Sequence, residues 1–310
     1  MLKIYKTING LMTECETIEP DSWINLENPT IEEMERLTEE LGIVPEFLYA
    51  ALDEEETSHI DRDEGQTLII VDLPYTEKKT AAGGGLLFST MPLGIIISEY
   101  NIITVSLKEN SIITSFINGR VRSVYTNMRT RFVLQIMYRM AKKYLQDLKQ
   151  IDKASSLIEK ELHVSMRNKE LIQLLDLEKS LVFFSTSLKA DESTIEKIMR
   201  GRVIRMYEED EELVEDVLVE IKQAIEMSNI YSNILSGTMD AFASIISNNL
   251  NIVMKVMTSI TILLAIPQVF AGLYGMNVNG LPFPNFWFVA GMAAVVVIIV
   301  AVILYKKKLF

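Results

Sequence analysis

The chain has one cysteine and two histidines in 310 residues, and no proline between Pro92 and Pro267. The lone Cys15 excludes an intrachain disulfide and fits a reducing compartment. His59 and His163 are the only imidazoles and read as surface residues in polar segments. No acid/base or nucleophile constellation recurs around them, so an enzyme is the weakest of the function classes. Gly83-Gly84-Gly85 lacks the Lys-Ser/Thr that a phosphate-binding P-loop requires, and is expected to be a flexible strand connection. The missing prolines permit long helices over the interval they vacate.

Charge is absent in another place. The fifty residues between Lys255 and Lys306 contain no Asp, Glu, Lys, Arg or His. One membrane span takes about 20 apolar residues, so this run fits two spans and a short connection, with Tyr274-Gly275-Met276-Asn277 at the turn. All 42 acidic residues lie before position 251, whereas Lys255, Lys306, Lys307 and Lys308 are the basic residues beyond it, which leaves −16 on the first 250 residues and +4 on the rest. That is an acidic body on a hydrophobic anchor, and it argues against nucleic acid as a partner, because a phosphate backbone selects basic faces. No apolar run near Met1 has the length or flanks of a signal peptide, so the body is expected to stay on the side where it is made. Lysines flank both spans, which places both ends of the chain in the cytoplasm, in a cell (inner) membrane, and Asn277 outside.

Within the body, Thr30 is a predicted helix N-cap, with Glu33 completing a capping box ahead of Ile31, Met34, Leu37 and Leu41. A second short helix is predicted over residues 45–52. Strand-like runs follow at 66–73, 85–89, 94–97 and 101–107, so residues 1–120 read as a mixed α/β domain. Apolar periodicity then marks two long acidic helices, roughly 122–163 and 168–200, which together make an antiparallel pair over 121–202. A third helix begins near Val203 and has no strong breaker before Gly272. It is a stalk of roughly 100 Å at 1.5 Å per residue, and its part at about 252–272 forms the first span. Residues 273–285 make the extracytoplasmic loop, 286–305 the second span and 306–310 a basic tail. A helix of that length needs partner helices to bury its stripe, so an oligomer is implied.

The first span is not uniformly apolar. Asn251, Met254, Thr258, Thr261, Ala265, Gln268 and Gly272 follow one another at steps of three and four, which is a seam along one helix face. Small and hydroxyl residues in membrane helices commonly serve close packing alone. The amides of Asn251 and Gln268 favour a wet seam, because an amide in hydrocarbon needs a satisfied environment. A ring of such helices would line a narrow uncharged channel constricted at Met254. The second span carries no polar residue from Phe286 to Leu304, and has Trp287 and Tyr305 as interfacial aromatics.

Gly275-Met276-Asn277, preceded by Pro267, Ala271, Gly272 and Tyr274 and set between two C-terminal spans ahead of a basic tail, resembles the signature of the CorA-type divalent cation transporters. The opening Trp23-Ile24-Asn25-Leu26 with Asn28-Pro29-Thr30, the Ala51-Leu52-Asp53 segment and the long acidic helices are similar to that family's cytoplasmic domain. The resemblance implies a funnel-shaped homopentamer with an α/β cytoplasmic domain, a long helical stalk and two C-terminal transmembrane helices. It implies membrane uptake of hydrated Mg2+, with Co2+, Ni2+ and Zn2+ as further cations and no covalent cofactor, selected by a ring of Gly275, Met276 and Asn277. It also implies closure by Mg2+ as a regulatory ligand between neighbouring cytoplasmic domains. Asp216 matches one carboxylate of that site; Ala51 falls where the other is expected, with Asp53 close behind. Asp240 is expected either to form an acidic ring at the cytoplasmic mouth or to be a surface carboxylate. The chain departs from the family in having Gly280-Leu281-Pro282-Phe283-Pro284 in place of an acidic Met-Pro-Glu-Leu motif. The alternatives are a ZntB-type zinc transporter, with proton coupling, and a membrane-anchored coiled-coil signalling protein.

Overall fold

A computed structural model describes residues 1–78, 86–165, 168–201, 203–276, 282–283 and 285–307. It forms two compact units, Met1–Thr238 and Met239–Phe310. Gly83-Gly84-Gly85 and the His163 side chain lie outside the described residues.

The first unit is built on a seven-stranded sheet in the order β2-β1-β3-β7-β6-β5-β4. Its strands are β1 (Leu2–Ile8), β2 (Leu11–Cys15), β3 (Trp23–Glu27), β4 (His59–Asp63), β5 (Gln66–Lys78), β6 (Leu86–Ile97) and β7 (Ile102–Ser106). Only the β3–β7 pairing is parallel. Two hairpins are closed by two-residue turns in which both residues have positive φ, Asn9-Gly10 (51° and 78°) and Glu64-Gly65 (49° and 75°). That backbone twist matches the twist of the strands it joins. The runs expected at 85–89 and 94–97 are one strand, because Pro92 lies just past Leu93, where the pairing of β6 with β7 ends. A proline is tolerated in a sheet where a ladder partner is missing.

Between β3 and β4 run α1 (Ile31–Leu41) and α2 (Pro45–Ala50). The capping box is present: Thr30 Oγ1 accepts from the Glu33 N–H at 3.3 Å, and Glu33 Oε2 accepts from the Thr30 N–H at 2.9 Å. The same carboxylate lies 3.1 Å from the terminal ammonium and also takes the Leu2 N–H, so it ties the helix start to β1. Gly42, at φ 63°, ends α1 in the left-handed conformation. These helices cover one face of the sheet through Met34, Leu37, Phe47, Leu48 and Ala51, which pack on Ile24, Leu26, Leu68, Ile96 and Val105.

The other face carries α3 (Ser111–Ile117), α4 (Arg129–Ser165) and α5 (Asn168–Met199). Its core is aromatic: Trp23 packs 5.0 Å from Phe132, and Tyr144 packs 5.0 Å from Phe184, both edge-on. The helix expected from about residue 122 starts at Arg129, because the preceding segment is bonded to β1. Thr7 Oγ1 donates to the Val124 carbonyl at 3.1 Å, the Thr7 N–H reaches Thr126 Oγ1 at 3.2 Å, and Ser123 sits at φ 56°. The third helix, α6 (Glu208–Tyr274), likewise starts later than Val203. The Thr130 hydroxyl holds the Arg205 carbonyl at 2.8 Å and Ile204 is buried, which keeps this stretch out of the helix. Glu208, Glu209, Asp210 and Glu211 fill the first turn of α6, where negative charge meets the positive end of the helix dipole. Pro267 is inside α6. The second unit contains the C-terminal part of α6 and α7 (Phe286–Lys306).

One contact in the first unit has no slack. A Cβ built on Gly94 in β6 would lie 2.3 Å from the Cβ of Ala51, so α2 sits directly on the strand backbone. Gly94→Ala is expected to destabilise the full-length protein by about 1–3 kcal/mol, the usual range for overpacking. Thermal unfolding of the detergent-purified protein would show this as a lowered midpoint, and an unchanged midpoint would mean that α2 can lift from the sheet freely.

Candidate functional site

The second unit has the surface of a membrane protein. Two of its helical stretches are long and apolar enough to cross a bilayer, and both are largely exposed in the chain. Core helices of a soluble protein would be covered. Leu250, Val253, Met257 and Leu264 on α6 and Val295, Ile298, Ile299 and Val302 on α7 all face outward. A contiguous apolar surface of this extent is stable only against lipid or further protein.

Between Asn251 and Tyr274 on α6 the least exposed positions are Val256, Ser259, Leu263, Ile266, Phe270 and Tyr274, again at steps of three and four. Ala293 and Leu304 are the buried residues of α7. The seam of Asn251, Met254, Thr258, Thr261, Ala265, Gln268 and Gly272 lies on the uncovered side, and all seven residues are exposed. The structure brings Asn251, Met254 and Thr258 together with Asn248, Lys255 and Leu304 around a groove of about 370 Å³. Thr261 differs from the others: its hydroxyl donates to the Met257 carbonyl at 2.9 Å, one turn back, so its proton is spent within the helix. Among the described residues the amides of Asn251 and Gln268 have no partner, and this leaves them available to water or to another chain.

At its far end α6 closes tightly. The Gly275 N–H donates to the Ala271 carbonyl at 2.9 Å, and an added Cβ at Gly275 would come within 2.9 Å of that same oxygen. The glycine is required for this close approach and not for a left-handed φ. The Tyr274 hydroxyl donates to the Pro282 carbonyl at 3.0 Å and so ties the end of α6 to the approach of α7. In the sequence Tyr274 is marked only by its place in the motif, and no pattern in the chain points to this bond. Asn285 then caps α7, its Oδ1 accepting from the Trp287 N–H at 3.1 Å. Met276 is exposed, and Asn277 lies outside the described residues.

The acidic candidates are all exposed. Asp53 is exposed, and its Oδ1 accepts from the Glu55 N–H at 3.0 Å in a local turn. Asp216 and Asp240 are exposed on α6. Ala51 is fully buried against Gly94, so position 51 belongs to the core and offers no place for a carboxylate. Among the described residues, no three His, Cys, Asp or Glu side chains of one chain gather where they could hold a metal ion. His59 is half-buried, its Nδ1 lying 2.8 Å from the Thr57 carbonyl.

A family model described as CorA-like Mg2+ transporter protein matches residues 22–307. The cobalt/magnesium transport protein CorA of Methanocaldococcus jannaschii is 28% identical over 92% of this chain and 90% of its own length. The complete structure of the CorA magnesium transporter from the same organism superposes with a TM-score of 0.84 at 25% identity, covering 99% of this chain and 98% of that one. The ZntB cytoplasmic domain from Vibrio parahaemolyticus shares the fold at a TM-score of 0.61 and 12% identity. With an α/β domain, a long helix and two apolar C-terminal helices matched along nearly their full length, this chain belongs to the CorA-like Mg2+ transporter family.

Proposed function

We propose that the chain assembles as a homopentamer that admits hydrated divalent cations, magnesium foremost, through a pore lined by the α6 seam from Asn251 to Gly272. The observation that carries this reading is the position of the seam: all seven residues are uncovered while the opposite face of α6 is shielded. Five copies meeting along it would surround an axis with amides, a hydroxyl and small residues, and with Met254 as the narrowest ring. Asn277, two residues past Gly275, is the proposed selecting group. Magnesium releases its waters reluctantly, so uncharged amide oxygens that hydrogen-bond to a retained water shell suit it. A divalent ion entering a cell at about −100 mV gains roughly 4–5 kcal/mol, so no chemical fuel is needed. The lysines that flank the two spans support a cytoplasmic side for both chain ends.

The acidic body supplies the proposed gate. Five copies, each with −16 on their first 250 residues, repel one another unless cations collect between them. Magnesium held near Asp216, with Asp53 as the acidic group from a neighbouring copy, would relieve that repulsion and hold the pore shut. Position 51 has no part in it.

Asn277→Ala is expected to abolish magnesium flux into proteoliposomes and to leave the assembled mass unchanged; full flux in the variant would remove Asn277 from the filter. Zinc flux exceeding magnesium flux in the same vesicles, and rising with a proton gradient, would transfer the chain to the zinc reading. Millimolar magnesium should raise the thermal midpoint and the protease resistance of the wild type but not of Asp216→Ala; equal responses would end the regulatory assignment. Trp287 is 79% exposed at the start of α7, whereas Trp23, the other tryptophan, is fully buried. Lipids with brominated chains should therefore quench the wild type and not Trp287→Phe, and equal quenching would contradict the membrane placement of α7.

A further inference from the structure

The pairing of β4 with β5 runs from Asp63↔Gln66 to His59↔Ile70 and stops there, so among the described residues the flank of β5 beyond Ile70 has no strand beside it. Side chains take over. Asp191 Oδ1 on α5 accepts from the Asp72 N–H at 3.0 Å, and the Tyr144 hydroxyl on α4 donates to the Asp72 carbonyl at 2.8 Å. The Ser58 hydroxyl, just ahead of β4, lies 2.9 Å from both the Ile70 carbonyl and the Thr194 hydroxyl. Ser187 on α5 and Thr90 on β6 are joined at 3.0 Å. A polar layer is thus enclosed between α4, α5 and the sheet, and it holds two carboxyl groups.

Asp191 is fully buried and Asp72 is 7% exposed. Asp191 Oδ1 is occupied by the Asp72 N–H, but Asp191 Oδ2 has no hydrogen-bond partner and is closed off from solvent. Among the described residues no Lys, Arg or His bears on either carboxyl. Asp191 meets the charge of Asp72 and the hydroxyl of Ser58, and Asp72 meets the hydroxyl of Ser187. On α4 the next carboxylate, Asp147, is already engaged by Lys143 at 2.6 Å. Two ionised carboxylates cannot share such a place without a counter-charge, because burial penalises each and each repels the other.

We propose that Asp72 and Asp191 hold one proton between them at neutral pH, and that this proton latches α5 onto β5. Burial is the main cause that pushes both carboxyls up, and for Asp191, raised well above the usual range, the neighbouring Asp72 charge adds to it. The titration belongs to the pair and not to either residue alone. The sign follows from proton counting. The unfolded chain releases these protons in the ordinary carboxylate range, whereas the native state keeps one to higher pH. The native state therefore binds more protons over that window, and its stability falls as pH rises through the raised native value. When the proton leaves for solvent, two buried negative charges remain in the layer under α5, and water entry or separation of α5 from β5 relieves them.

The test uses the full-length purified protein. Infrared spectroscopy should show the carbonyl stretch of a protonated carboxylic acid at neutral pH, weakened in Asp72→Asn/Asp191→Asn and retained in Asp147→Asn. The thermal midpoint of the wild type should fall as pH rises from the ordinary carboxylate range through the raised native value, and that of Asp191→Asn should fall less and lie higher at the alkaline end. An Asn at 191 keeps the oxygen that accepts from the Asp72 N–H. If the variants do not fold, the wild type alone decides: its acid band should fade with rising pH in step with its midpoint. No such band in the wild type, an unchanged band in the double variant, or equal pH slopes would overturn the latch. Magnesium stabilisation lost in Asp191→Asn would overturn it too, by assigning the pair a metal in place of the proton.

Discussion

One backbone hydrogen-bond ladder, α6, must be solvated by two media. It begins with four acidic residues in its first turn and ends in a stretch without charge, with no loop between in which the chain could change its environment. Water suits the first part and hydrocarbon the second. The rest of the molecule follows from that demand. The acidic part lies in a unit whose sheet and helices have a dense core of their own, while the apolar part, among the described residues, is largely bare. Lipid or further protein is what such a surface requires, and a face turned to water or to another helix would have no reason to be apolar.

The first unit solves a different problem, which is how to end a sheet beside long helices. Its strands differ in length, and where a short strand stops, a longer neighbour is left with unpaired backbone. Side chains from α4 and α5 answer this at Asp72. On the opposite face α2 is let down onto Gly94 until Ala51 touches the strand. The first arrangement puts charge-bearing groups into the interior, and the second takes a position out of reach of any ion. Both results follow from the fitting of helices to strands, and neither required a binding site to exist.

Local chemistry was the legible part of the sequence. The box of Thr30 and Glu33 needs only residues three apart, and the long helices declare themselves by apolar period. The seam was read in the same way. The first four strands lack such a pattern: Trp23 to Leu26 are buried without alternation, so β3 shows no period of two, Ile4 and Tyr5 are buried side by side in β1, and β2 and β4 are five residues each. Asn9-Gly10 carries a hairpin signal between β1 and β2. The start of α4 was hidden because Thr7 fixes residues more than a hundred positions away. Asp72 and Asp191 were hidden for the same reason, since separation along the chain erases any pattern. The burial of Ala51 could not be seen from a motif comparison, because a motif aligns positions without saying which way they face.

Pro267 has no N–H to offer the Leu263 carbonyl, so the ladder of α6 lacks one rung inside its apolar stretch. A hydrogen-bonded helix resists bending because every turn is tied to the next, and here one tie is absent. The residues from Pro267 to Tyr274 therefore form a short lever on a softened joint, anchored at its outer end by the Tyr274–Pro282 bond. With one rung missing, bending at this joint is less opposed than in an unbroken helix.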